Sequence, residues 1–234
     1  MPLLSILIPV FNEAATVKEL LARLRAVELA VPREVLLIDD GSTDGTAAIL
    51  AEAAAADPEL RVITQPANRG KGAAVAAGIA ASRGDWLLIQ DADLEYAPSD
   101  IPRLLEPVLA GDADAVYGSR FVGGQRRRVN RFWHTQANRC LTTLCNAVTD
   151  LALTDMECCY KLLPGELARS WTLQEAGFGI EPEITCRLAR EPRLAIFEVG
   201  IRYLGRGREE GKKIGWRDGV RAVWCVAKYG ILRR

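Results

Sequence analysis

The chain has 234 residues, with 30 basic and 30 acidic side chains, 49% hydrophobic and 26% charged residues, and a formal net charge of zero. That composition is globular and excludes collagen-like, coiled-coil and disordered classes. The length suits a single α/β domain with a sizeable core, and a neutral chain makes a poor nucleic-acid binder.

Apolar runs of strand length at Leu3–Val10, Glu34–Ile38, Arg61–Ile63, Trp86–Gln90 and Ala115–Tyr117 alternate with helical patterns. Glu13–Leu29 carries Val17, Leu20, Leu21 and Leu24 on one face, Thr46–Ala56 follows the cap-forming Ser42-Thr43-Asp44, and Gly72–Ala81 is the third. Such alternation predicts an α/β fold, a mostly parallel sheet flanked by helices on both faces. After Gly118 the alternation stops. From Ala115 to Thr149 there is no acidic residue, yet Arg120, Arg126, Arg127, Arg128, Arg131 and Arg139 are present, so an anionic partner is expected there. The spacing predicts helices over about Asn130–Val148, Glu181–Arg190 and Trp216–Ile231, a strand over Leu194–Tyr203, and a charged loop over Gly205–Lys213. No linker or repeat divides the chain. One domain is expected, with a ligand-binding half at 1–118, a second half at 119–215 and a terminal helix at 216–234.

The six cysteines lack CxxC spacing and come with a single histidine, His134, which argues against a zinc site and for free thiols in a reducing compartment. No charged leader precedes Leu3, and no apolar stretch reaches the ~18 residues of a membrane span. A cytoplasmic chain, neither secreted nor transmembrane by itself, is expected.

In an open parallel sheet, ligands bind beyond the carboxyl ends of the strands. Those ends here are polar: Pro9-Val10-Phe11-Asn12-Glu13, Asp39-Asp40-Gly41-Ser42, Asp91-Ala92-Asp93-Leu94-Glu95 and Gly118-Ser119-Arg120. The Asp91-Ala92-Asp93 triplet aims two carboxylates to one side, and two hard oxygen ligands suit Mg2+ or Mn2+ completed by a diphosphate. In isolation the triplet is a weak motif that reads first as a solvated turn; its place after a strand, with Asp40 and Arg120, favours a site. The loop Asn68-Arg69-Gly70-Lys71-Gly72 could bring backbone amides to a phosphate or simply turn the chain. It is not a P-loop, because Gly72 stands where Ser or Thr is required, and no GxGxxG follows the first strand.

Together these motifs, with Asp155–Lys161 and Glu210–Ile214, resemble family 2 glycosyltransferases of the GT-A fold, and within them polyprenyl-phosphate sugar synthases of the dolichol-phosphate mannose type. The resemblance implies an inverting, metal-dependent transferase that moves a sugar from a nucleoside-diphosphate sugar to a polyprenyl phosphate. It places Pro9, Phe11, Glu13 and Asp40 on the base and ribose, and Lys71, Asp91, Ala92 and Asp93 in the wider nucleotide-sugar site. Asp91, Asp93 and Glu95 would bind Mg2+ or Mn2+. Arg120, Arg131 and Lys213 would meet the acceptor phosphate, and Arg206 would close over the phosphates. By the same resemblance, Asp93, Arg120 and Arg206 would carry the catalytic roles.

An acceptor phosphate needs no strong general base, so positioning and charge neutralisation should dominate. A hydroxyl acceptor would need a base, with Asp155 as the candidate, though Asp155 could equally cap a helix. Trp216–Ile231 sets Val220, Val223, Trp224, Ala227 and Ile231 on one face and Arg217, Arg221 and Lys228 on another. That pattern fits a helix lying on a lipid surface, with the protein peripheral on the inner face of a membrane, and equally a helix packed on the core. A non-catalytic sugar-nucleotide-binding adaptor and a nucleotidyltransferase are the rival classes; the intact Asp91/Asp93 pair opposes the first and the Pro9–Glu13 opening the second.

Overall fold

The computed structural model describes residues 1–123, 128–129, 131–205 and 216–232, without the side chains of residues 216–218. Arg126, Arg127, Arg206 and Lys213 lie outside the described residues. A seven-stranded sheet is built from β1 (Leu4–Val10), β2 (Arg33–Asp39), β3 (Leu60–Thr64), β4 (Trp86–Ile89), β5 (Ala115–Ser119), β6 (Lys161–Pro164) and β7 (Ile196–Gly200), in the order β3-β2-β1-β4-β6-β5-β7. Only β6 runs antiparallel, to both β4 and β5. The helices are α1 (Val17–Arg25), α2 (Thr46–Ala56), α3 (Lys71–Ala81), α4 (Ile101–Ala110), α5 (Phe132–Thr149), α6 (Gly165–Ser170), α7 (Ile180–Leu188) and α8 (Trp216–Gly230). The expected mostly parallel α/β architecture is observed.

The central strands are unbroken apolar runs because both faces of the sheet are covered: Leu4, Ile6, Leu7 and Ile8 of β1 and Leu36, Leu37 and Ile38 of β2 are fully buried. Helix α3 packs on β1 and β2, α4 on β5, and α5, α7 and α8 pack together. The helix expected from Glu13 begins only at Val17, because the Glu13 carbonyl accepts the amides of Thr16 and Val17 in a turn. Helices α4 and α6 and strand β6 have no counterpart among the elements expected from the sequence. Pro102 sits in the first turn of α4, where its missing N–H costs nothing, and Ile101, Leu104, Leu105 and Val108 bury one face; Gly111 closes the helix at φ +82°.

Strand order reverses between β1 and β4, which opens a crevice at their carboxyl ends. Antiparallel β6 brings its leading end, and the turn before it, to that same edge. Across the edge the order is therefore the loop after β2, the loop after β1, the loop after β4, the turn before β6 and the loop after β5.

Helix α8 is latched by a buried carboxylate. Glu175 Oε2 accepts Arg221 Nε and Nη2 at 2.9 and 2.7 Å, while Oε1 accepts Lys228 Nζ and the Tyr229 hydroxyl at 3.0 and 2.8 Å. Burial would raise the Glu175 carboxyl, but bonds from Tyr229, Lys228 and Arg221 hold it down at about 2. A depressed carboxylate contributes stability above its ordinary value of 4.5 and loses it as pH falls through about 2. Because Arg221 is half exposed, the gain is screened. At neutral pH, Glu175→Gln should speed hydrogen exchange of α8 by roughly tenfold and leave β1 unchanged.

Candidate active site

The loops after β1 and β2 are laced to each other. Asn12, at φ +54°, accepts the Thr43 amide on Oδ1 at 2.8 Å, and its own amide donates to Ser42 Oγ at 3.0 Å. The Glu13 amide donates to Thr46 Oγ1 at 3.0 Å. Gly41, at φ +72°, lets this turn pass the backbone of Ala67, where an added Cβ would lie 2.6 Å away. Asp40 is buried and ties down the next loop: Oδ1 and Oδ2 accept the amides of Arg69 and Gly70 at 2.9 and 2.7 Å. The Asn68–Gly72 segment is thus a fixed shelf leading into α3, and Gly72 is required because the Glu175 carbonyl occupies the space of a side chain.

These elements frame a cavity of about 490 Å3, an ordinary size for a small-ligand site. Pro9, Phe11, Glu13 and Asp40 are among its lining residues, as are Lys71, Asp91, Ala92 and Asp93, and Glu95, Arg120, Glu157 and Tyr203. Nine sequence-predicted residues of the donor half and metal set, Pro9, Phe11, Glu13, Asp40, Lys71, Asp91, Ala92, Asp93 and Glu95, are therefore brought together with Arg120. Arg131 is not among the lining residues; it stands exposed at the start of α5, where its carbonyl accepts the Thr135 amide at 3.0 Å.

Lys71 Nζ lies 2.9 Å from Asp91 Oδ1 and 3.1 Å from Glu181 Oε1. Burial presses its ammonium down, but Asp91, with Cys159 and Glu181, holds it well above its ordinary range, so it stays charged. Asp93 Oδ1 accepts the Glu95 amide at 3.0 Å in a turn that puts Leu94 at φ +64°. The Asp91 and Asp93 carboxylates fit a divalent ion that takes its other ligands from water and a diphosphate. Glu95, the third expected ligand, lines the same cavity, and its Oε2 accepts the Tyr203 hydroxyl at 2.8 Å.

Arg120 and Asp155 form a buried fork. Arg120 Nε and Nη2 each lie 2.6 Å from an Asp155 oxygen, the Arg120 amide donates to the same carboxylate at 3.0 Å, and Asn138 Nδ2 adds a bond at 3.2 Å. Asp155 is fully buried. It is neither a helix cap nor a base open to an acceptor, so both sequence readings of it give way to a structural ion pair. Arg120 keeps a face on the cavity, stacked 5.1 Å from the Tyr203 ring centre.

Other lining residues have no place in the site read from the sequence, among them four with ionisable side chains at the turn before β6, α7 and α5. Glu157, Cys159 and Glu181 reach the cavity through the turn before β6 and the start of α7, and His134 through the first turn of α5. Lys161, fully buried, bonds Glu181 and the carbonyls of Met156 and Cys158 and fixes this corner. Burial, then the charge of Glu181, pushes the Glu157 carboxyl up to about 7.

A reversed-order parallel sheet with an Asp-x-Asp turn at its switch point is the GT-A architecture. A solved structure, glucosyl-3-phosphoglycerate synthase from Mycobacterium tuberculosis in complex with Mn2+, UDP and phosphoglyceric acid, superposes with a TM-score of 0.75 over 98% of this chain and 79% of that one at 21% identity, which shows the shared fold. The chain belongs to glycosyl transferase family 2, whose profile matches residues 5–170. It is 34% identical over 238 residues to an undecaprenyl-phosphate mannosyltransferase of Micrococcus luteus, covering 97% of this chain and 94% of that protein. It is also 35% identical over 160 residues to an undecaprenyl-phosphate 4-deoxy-4-formamido-L-arabinose transferase of Aeromonas hydrophila, with 67% of this chain and 47% of that protein covered. Against relatives of this second kind the chain spans about half their length.

Proposed function

We propose that the protein transfers a sugar, with inversion, from a nucleoside-diphosphate sugar to a polyprenyl phosphate. The observation that carries this reading is the Asp91/Asp93 pair beside charged Lys71, in one cavity that continues from the Phe11–Asp40 loops to Arg120. The names of the Micrococcus and Aeromonas relatives support the lipid phosphate as acceptor. Phe11 and Pro9 offer an apolar surface to a base, and the Asn68–Gly72 shelf and Lys71 meet phosphate charge. Mg2+ or Mn2+ held by Asp91 and Asp93 would offset charge on the departing diphosphate. The acceptor phosphate is already an anion and needs only to be held in line, a task for Arg120 and, from the exposed start of α5, Arg131. The burial of Asp155 against Arg120 disfavours a hydroxyl acceptor served by that residue as base.

Such an acceptor sits in a membrane, and the surface of α8 suits one. Ala222, Cys225, Val226 and Tyr229 face the core, whereas Val220, Val223, Trp224 and Ile231 are 61, 45, 51 and 57% exposed. Phe132 and Trp133 at the start of α5 are 64 and 80% exposed. No helix among the described residues is long and apolar enough to cross a membrane. The protein would therefore lie on the lipid surface by this apolar stripe, peripheral on the cytoplasmic face. Replacing Val223 and Trp224 with Glu should lower co-sedimentation with liposomes at least ~10-fold, from the apolar burial lost. Undiminished sedimentation would remove the stripe from the interface.

The reaction is tested by nucleotide release from GDP- and UDP-sugars, with Mg2+, Mn2+ or chelator, and with or without a short polyprenyl phosphate. Release that needs the ion and is stimulated by the lipid is expected. Release indifferent to the lipid would overturn the acceptor.

A further inference from the structure

Glu157 is the cavity carboxylate to which the proposed reaction gives no task. It lines the cavity, yet its Oε1 is shut off from solvent and has no hydrogen-bond partner among the described residues. The charged groups around it are already matched. Arg120 is paired with Asp155, Lys161 with Glu181, and Lys71 with Asp91 and Glu181. Glu157 is thus a surplus acid among balanced pairs, and near neutral pH its carboxyl is shared between protonated and ionised forms. In that state it can both donate and accept a hydrogen bond. A buried polar atom without a partner in a folded protein is uncommon, and one on a residue that lines a ligand cavity points to a partner that arrives with the ligand.

The sheet says which part of the ligand that is. Along the carboxyl edge, the loops after β2 and β1 stand at one end, Asp91 and Asp93 after β4 come next, then Glu157 before β6, then Arg120 after β5. On the transfer reading above, those stations take the nucleoside, the diphosphate, the group joined to the diphosphate and the acceptor phosphate in turn. We propose that Glu157 hydrogen-bonds a hydroxyl of the transferred sugar and is a specificity-determining residue for the donor. This rests on the glycosyltransferase reading, and it assigns to one side chain the choice among sugars that the nucleotide-binding loops cannot make.

Binding calorimetry and kinetics on the full chain test it with GDP-mannose and UDP-glucose, the matching bare GDP and UDP, and singly deoxygenated sugar analogues of the donor that binds. Glu157→Leu should weaken the sugar nucleotide roughly 10–100-fold, the scale of one lost buried hydrogen bond. Bare nucleotide affinity should change less than about 2-fold, which a merely structural lesion would not spare. The wild type should reject one deoxy analogue by a similar factor, and Glu157→Leu should no longer distinguish it from the parent sugar. Glu157→Gln, which keeps a donor and an acceptor, should retain sugar affinity and kcat within about 5-fold.

Equal losses with bare nucleotide would make the residue structural and overturn the proposal. So would undiminished discrimination among deoxy analogues in Glu157→Leu. A Glu157→Gln variant with intact sugar affinity but no turnover would overturn it in favour of proton transfer. If the wild type bound a sugar nucleotide but never passed the sugar to polyprenyl phosphate, the transfer reading would fall while the binding comparison still judged Glu157.

Discussion

Asp93→Ala is expected to cut nucleotide release on the order of 10³-fold with either Mg2+ or Mn2+, and to abolish tight Mn2+ binding in the presence of nucleoside diphosphate. The effect should be this large because Asp93 is one of the two carboxylates of the Asp-x-Asp turn that face the cavity, and the charge on a departing diphosphate would lose its counter-ion with it. Fold stability should move little, since the Glu95 amide bond that Asp93 accepts lies in a turn on the cavity. Asp91→Ala is a less clean test. It also strips one of two anionic partners from buried Lys71, which Glu181 alone must then balance. Release by Asp93→Ala within a few fold of wild type, at saturating ion, would end the metal role. Unchanged melting together with lost release would place the defect in the site.

The strand ends that line the cavity were legible because each follows a buried apolar run, and parallel topology sends all of them to one edge. Hence Phe11, Asp40, Asp91 and Asp93 could be brought together from chain order alone. Strand β6 could not: four residues carry no period, and its antiparallel insertion is what delivers Glu157 and Cys159 to the cavity. Helix α4 was hidden by Pro102 and Pro107, although four apolar residues at helical spacing outweighed them. For α8 the two open readings were a core-packed and a lipid-facing helix. One face packs on the core while the opposite face exposes Trp224, so the pattern that suggested a surface also contained the docking side. Pairings across long separations left no sequence trace. Arg120 and Asp155 stand 35 residues apart, and nothing local shows that one neutralises the other.

That pairing changes what a mutation at Arg120 means. Read from sequence, Arg120→Ala should mainly injure acceptor use. In the structure it would strand the fully buried Asp155 carboxylate, and Asp155→Ala would strand a guanidinium only 7% exposed. Breaking one side of a buried ion pair costs about 3–5 kcal/mol, because the remaining charge keeps its desolvation penalty without its partner. In a chain of this size that corresponds to a fall in Tm of roughly 6–20 °C for either single variant. The double change Arg120→Met with Asp155→Leu removes both charges while keeping similar volumes, and should recover most of that loss. Its kinetics then separate packing from acceptor contact. If Arg120 also meets the lipid phosphate, the refolded double variant should keep donor affinity while KM for polyprenyl phosphate stays raised at least ~10-fold, the scale of a lost charge-assisted bond. A double variant that regains both Tm and lipid KM would confine Arg120 to the fold and leave the acceptor phosphate to other cations.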